Sequence, residues 1–232
     1  MPLKSLNMLL VCLALILAAC GETTASNSDL PSVVEPPAPS AENGQAILDN
    51  AAACDEEKPS TCVGSEIPSF VLEDFQPDSE GFGESYGLDR FQGKVTYVSL
   101  WASWCGYCRS QATNMAAIHE ALIELGVDVN VVAINVTTGV ETQPLLADTC
   151  SFPLLQDTTE IDAWSLLNGG KDDMYIYDAE GKLLVHLPAQ GDVETTLSTP
   201  QGFANVRDVL LAAAPPATEE PTNTTDDSTE TN

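Results

Sequence analysis

Apolar residues recur along this chain with two different periods. Residues 95–101, Val95-Thr96-Tyr97-Val98-Ser99-Leu100-Trp101, are β-branched and aromatic with apolar positions on both faces. That is the pattern of a central strand covered on both sides. Over residues 105–125 the period lengthens: Ala112, Met115, Ala116, Ile118, Leu122 and Ile123 fall at helical spacing, and Gly126 supplies a stop. Residues 127–136 return to strand, with Asp128 and Asn130 alternating against Val127, Val129 and Val131. Shorter signals predict a strand at 70–72 before an irregular glycine-bearing stretch at 78–87, a buried strand around 152–155, helices at 142–149 and 161–167, and a closing helix at 203–213. Residues 174–177 and 182–187 flank Asp178-Ala179-Glu180-Gly181, a hairpin turn. The order predicts an α/β layer with parallel strands in front and an antiparallel hairpin behind.

The two ends lack any such period. Lys4 precedes an almost wholly apolar stretch at 9–17, which closes on Ala18-Ala19-Cys20. Roughly 20 apolar residues are needed to span a membrane, so this shorter stretch reads as a signal peptide over residues 1–19. Leu17-Ala18-Ala19-Cys20 resembles a bacterial lipobox, which implies cleavage before Cys20 and lipid on its sulfur, with Cys12 discarded. Residues 20–43, rich in Ser, Thr, Pro and acids, read as a disordered tether. Residues 44–66 read as a cysteine-containing extension and 67–214 as the folded domain. Residues 215–232 read as an acidic disordered tail.

Charge narrows the function. The formal net charge is −27, with only eight Lys and Arg in 232 residues, and such a surface repels phosphate backbones, so nucleic acid is not an expected partner. Seven cysteines suit an oxidising compartment. Setting aside Cys12 and Cys20 leaves five. Cys54 and Cys62 flank Lys58-Pro59 and read as a structural disulfide. Cys150 reads as an inert buried thiol, as a disulfide partner of Cys54 or Cys62, or as a third redox thiol.

The chemistry sits in Trp104-Cys105-Gly106-Tyr107-Cys108. Thiol exchange needs two sulfurs close enough to bond and a thiolate on the attacking one. A Cys-x-x-Cys pair that opens a helix meets both needs, because unpaired N–H groups and the helix dipole favour a negative first sulfur. Cys105 is therefore the candidate nucleophile and Cys108 the resolving thiol, with Trp104, Gly106 and Tyr107 in support. Two other readings stand beside this one, an inert disulfide and half a zinc site. Only His119 and His186 are available as further nitrogen ligands, so no metal or other cofactor is expected.

Leu88-Asp89-Arg90-Phe91-Gln92-Gly93-Lys94, leading into Trp101-Ala102-Ser103-Trp104-Cys105-Gly106-Tyr107-Cys108-Arg109, resembles the extracytoplasmic thiol–disulfide oxidoreductases of the thioredoxin superfamily. The resemblance implies a thioredoxin-like α/β fold with a central mixed sheet. It also implies partners that are extracytoplasmic thiol or disulfide proteins. Downstream, residues 163–178 with Gly181-Lys182-Leu183-Leu184-Val185-His186-Leu187 look like the N-terminal domain of selenoprotein P, which implies small-thiol or peroxide reduction as an alternative. A non-catalytic binding module with an inert cysteine pair is a third reading. Thioredoxins carry a cis-proline before the strand facing the cysteines, and here that place falls near Lys171-Asp172. The family's buried acid would fall at Ser99, and an alternative acid position at Gln111. Asp172 and Asp173 lie near the cysteines on this reading, either as substitutes for that acid or as turn caps, the commoner role of Asp.

The expected protein is thus lipid-anchored to a bacterial membrane, with its domain facing the periplasm or cell exterior.

Overall fold

A computed structural model describes residues 35–51 and 54–214. The segments read as signal peptide and acidic tail, Cys20 and most of the segment read as tether lie outside the described residues. Seven strands form one mixed sheet in the order β2-β1-β5-β4-β3-β6-β7. The strands are β1 (Leu72–Asp74), β2 (Ser85–Tyr86), β3 (Thr96–Trp101), β4 (Asn130–Asn135), β5 (Leu154–Gln156), β6 (Met174–Tyr177) and β7 (Leu183–Leu187). β3, β4 and β5 run parallel, while β6 pairs antiparallel with β3 and β7 antiparallel with β6 as the expected hairpin. The fold is the thioredoxin-like α/β arrangement.

β3 is buried at all six positions, so its alternating side chains feed two cores. On one face Tyr97 and Trp101 pack under α2 (Gly106–Glu124) and α5 (Pro200–Ala213) through Met115, Ile118, Leu122, Val206 and Val209. On the other, Val98 and Leu100 meet Ile134, Tyr175 and the short α4 (Ala163–Leu166). α3 (Gln143–Ala147) follows a 3₁₀ turn, Thr137–Thr142, at the end of β4. α5 begins at Pro200, ahead of the expected residue 203, because Thr199 caps it and accepts from the Gly202 N–H at 3.0 Å.

One helix departs from the sequence reading. α1 (Ala41–Asp49) begins inside the segment read as tether. Ser40 caps it by accepting the Asn43 N–H at 3.1 Å, a contact worth about 1 kcal/mol. The Ser40 N–H and the Asn43 amide both donate to the buried carboxylate of Asp208 on α5. A Cβ at Gly44 would lie 1.9 Å from the Asp208 carbonyl oxygen, so glycine is what lets the two backbones approach. No apolar period announced this helix: Ile47 and Leu48 pack against the core, but its closest approach to α5 is made by Gly44 and its hydrogen bonds to Asp208 by Ser40 and Asn43.

The Cys54–Cys62 disulfide is formed and closes a turn at Pro59–Thr61. From there Gly64 and Ser65 exchange backbone hydrogen bonds with Leu183. Ser60 bonds the Leu166 carbonyl and the Asn168 side chain. The extension is therefore laid along the hairpin edge, beside the loop that leads to Lys171.

Candidate active site

The expected pair of cysteines stands where β3 hands over to α2. Cys105 is the N-cap of that helix, and its Sγ accepts the Cys108 N–H at 3.4 Å. The preceding turn is fixed by buried Ser103, whose N–H donates to Asn135 Oδ1 at 2.9 Å and whose hydroxyl donates to the Gly139 carbonyl at 2.7 Å. Arg109 reaches back to the Ser103 carbonyl at 2.9 Å. A Cβ on Gly139 would meet Ser103 Oγ at 2.6 Å, so this clamp also depends on a glycine. Cys105 is half-buried, whereas Cys108 is fully enclosed.

A second segment crosses from the far side of the sheet. The Asp172 N–H donates to the Leu100 carbonyl at 2.7 Å, and the Leu100 N–H donates to the Asp173 carbonyl at 3.1 Å. Asp172 adopts φ +70°, a left-handed conformation that Asp tolerates better than most residues. These contacts hold Lys171 over the cysteines. Its Nζ lies 3.8 Å from Cys105 Sγ, 2.6 Å from Asp172 Oδ2 and 5.8 Å from the centre of the Tyr107 ring.

The adjacent acids have separate jobs, and the turn-cap reading holds for only one of them. The Asp173 carboxylate accepts from the Gly170 and Ala189 N–H groups at 2.8 and 2.9 Å and faces His186 at 3.4 Å. Asp172 does not cap a turn: its side chain is 4 % exposed, and Oδ1 has no hydrogen-bond partner among the described residues. The left-handed backbone turns its side chain inward while Asp173 faces the loop.

The two thiols differ in acidity. Burial pushes Cys105 up, but donation from the Cys108 thiol and N–H, together with the Lys171 ammonium, outweighs it, and the net direction is down. Burial, followed by donation to the Cys105 sulfur, pushes Cys108 strongly up, and Asp172 adds to this. The Asp172 carboxylate in turn keeps Lys171 protonated. The arrangement makes Cys105 the more acidic of the two thiols.

Trp104 and Tyr107 flank Cys105 and are 51 % and 44 % exposed. Trp104 Nε1 donates to Thr138 Oγ1 and the Tyr107 hydroxyl to Thr196 Oγ1, both at 3.2 Å. Gly106 has open space, with Arg109 Nη2 3.8 Å from where its Cβ would be. Ser99 donates to the Asp173 carbonyl, and Gln111 clamps the 195–197 loop through Thr195 O and Leu197 N. Cys150 is a free thiol; burial pushes it up to about 12. Its proposed bond to Cys54 or Cys62 is ruled out because those two bond each other. His119 and His186 are half-buried on separate elements, and no metal-binding cluster of three or more His, Cys, Asp or Glu occurs among the described residues. Nothing in the sequence marks Ser103, and Lys171 is marked only by its place where thioredoxins carry the cis-proline.

A sequence profile described as the AhpC/TSA family matches residues 63–186, more than half of the chain and both candidate cysteines. The chain belongs to the AhpC/TSA family. It is 30% identical over 80 residues to the thiol-disulfide oxidoreductase ResA of Geobacillus thermodenitrificans, covering 34% of this chain and 41% of that protein. The thiol:disulfide interchange protein DsbE of Yersinia pestis is 26% identical over 149 residues, 64% of either chain. The solution structure of a thiol:disulfide interchange protein from a Bacteroides species superposes with a TM-score of 0.50 at 17% identity, over 69% of this chain and 95% of that one. That likeness supports the fold. The two sequence alignments span 41% and 64% of the relatives' lengths. No helix among the described residues is long and apolar enough to cross a membrane.

Proposed function

We propose that this AhpC/TSA-family protein is a thiol–disulfide oxidoreductase working through Cys105 and Cys108 on extracytoplasmic protein thiols or disulfides. A single observation carries the reading: Cys105 caps a 19-residue helix with Lys171 Nζ 3.8 Å from its sulfur. The thiol-disulfide oxidoreductase ResA and the thiol:disulfide interchange protein DsbE, to which the chain is similar, support the same chemistry.

In the reducing direction the Cys105 thiolate attacks one sulfur of a partner disulfide and the other leaves as thiolate. Cys108 then gives up its proton and attacks Cys105 Sγ, releasing the second partner sulfur and closing the Cys105–Cys108 disulfide. Two electrons pass to the partner, and the reverse sequence oxidises it. Exposed Trp104 and Tyr107 offer apolar surface beside Cys105 for a partner chain.

The anchor belongs to the same proposal. Leu17-Ala18-Ala19-Cys20 closing an apolar run supports lipid on Cys20 and a bacterial membrane as the site of action. An intact mass beginning at acylated Cys20 is expected, and an unmodified mature N-terminus contradicts it.

The test of the chemistry is trapping in the native compartment. Cys108→Ser is expected to accumulate mixed disulfides on Cys105, and Cys105→Ser to accumulate none. Absence of adducts in Cys108→Ser contradicts the assignment. A second reading, small-thiol or peroxide reduction, draws on Lys171 and Asp172 standing where a partner-binding proline was expected. Rapid oxidation of the reduced protein by hydroperoxide supports it, and inertness removes it.

A further inference from the structure

We infer that Asp172 is the proton acceptor for Cys108 when Cys108 resolves a mixed disulfide on Cys105. The inference rests on the proposed use of those two cysteines and concerns the second of their steps.

That step begins from a poor nucleophile. Cys108 is 0 % exposed, and a thiol reacts only as its thiolate, so a base must stand nearby within the protein. The two positions at which the thioredoxin resemblance puts an acid are occupied by non-ionising Ser99 and Gln111, both already engaged. Lys171 is a cation and cannot accept a proton. The Asp173 carboxylate is taken up by two N–H groups and His186.

Asp172 remains, and its placement fits. One carboxylate oxygen is held by Lys171, which itself faces Cys105. The other oxygen is buried and has no hydrogen-bond partner among the described residues. Burial is the main cause that raises the Cys108 thiol, and the Asp172 carboxylate is close enough to hydrogen-bond that thiol and add to the effect. Tyr97, with its own buried hydroxyl unpartnered among the described residues, also feels this charge from the strand beneath. A carboxylate within hydrogen-bonding reach of the Cys108 thiol, with one buried oxygen free, is placed to receive its proton.

The step balances. The Cys108 S–H bond breaks and its proton passes to Asp172 Oδ1. The Cys108 sulfur bonds to Cys105 Sγ, and the bond from Cys105 to the partner sulfur breaks. The electron pair leaves on the partner thiolate, for which the proton on Asp172 is then available.

A symmetrical aryl disulfide that releases a coloured thiolate separates the two steps in one trace. The first release reports attack by Cys105 and the second reports attack by Cys108. Asp172→Asn keeps the shape and tolerates the left-handed backbone. It is expected to leave the first release no slower, because a negative charge near Cys105 is removed, and to slow the second by about a hundred-fold. A second release at the wild-type rate in folded Asp172→Asn overturns the inference while leaving the proposed function standing. No first release from wild type overturns the proposed function itself. If Asp172→Asn does not fold, wild type in heavy water decides. The second release is expected to slow more than the first, and equal slowing overturns the role of Asp172.

Discussion

Lys171 and Cys105 are 66 residues apart in sequence, yet the ammonium nitrogen of one lies 3.8 Å from the sulfur of the other. The contact is made across the end of the sheet, where Asp172 pairs with Leu100 and carries its neighbour over the mouth of α2. A helix N-terminus alone favours a thiolate modestly. Lys171 adds a full charge on the open side of the sulfur, where the helix supplies none.

Replacing that lysine tests its share. Lys171→Met removes the ammonium and leaves the Asp172 carboxylate opposing the Cys105 thiolate, so the change raises the pKa of Cys105. The site is partly open to water, which screens the charge. Alkylation of Cys105 near neutral pH is expected to slow about three- to ten-fold. An unchanged rate would show that the helix terminus alone suffices.

The chain should also be less stable in alkali. Burial raises Cys108 and Cys150, the latter to about 12, and it raises Tyr86, Tyr97, Tyr175 and Tyr177. In the unfolded chain these groups ionise near 8.5 for thiols and near 10 for phenols. The folded state therefore keeps its full advantage below those values and loses it as pH climbs toward the folded ones. Cys105 runs the other way, since its lowered value favours the folded state above the unfolded value and the gain fades as pH falls. It is outnumbered. Denaturant unfolding of the reduced protein is expected to show a loss of about 2 kcal/mol between about pH 8 and about pH 10. A flat profile would contradict this.

Much of the frame was legible before any coordinates. β3 and α2 announced themselves because a doubly covered strand and a long amphipathic helix impose different periods on the same kinds of residue. The Cys105–Cys108 pair followed from where those periods meet. What stayed hidden was set by backbone conformation and long-range contact. Asp172 and Asp173 are chemically identical in sequence, and only the φ of +70° at Asp172 sends one carboxylate to the cysteines and leaves the other on the loop. α1 was hidden for a different reason: it is only nine residues long, and besides Ile47 and Leu48 its contacts are made by Gly44 and by polar Ser40 and Asn43, too little apolar pattern to set a period.

That helix gives a test of packing away from the site. In isolation Gly44→Ala favours helix by about 1 kcal/mol. Here the added Cβ meets the Asp208 carbonyl oxygen at 1.9 Å, so α1 must shift from α5. The expected net result is destabilisation by about 1–3 kcal/mol, with faster amide exchange in Ala41–Asp49 and no change in alkylation of Cys105. A neutral or stabilised variant would show that α1 does not lie as described.

The most direct measurement follows the alkylation rate of Cys105 in the reduced wild-type protein as a function of pH, with site-resolved mass spectrometry to separate it from Cys108 and Cys150. The expected midpoint lies below the value of about 8.5 for free cysteine, with Cys108 unlabelled through the same range. A Cys105 midpoint at or above that of free cysteine, or equal labelling of both thiols, would contradict it.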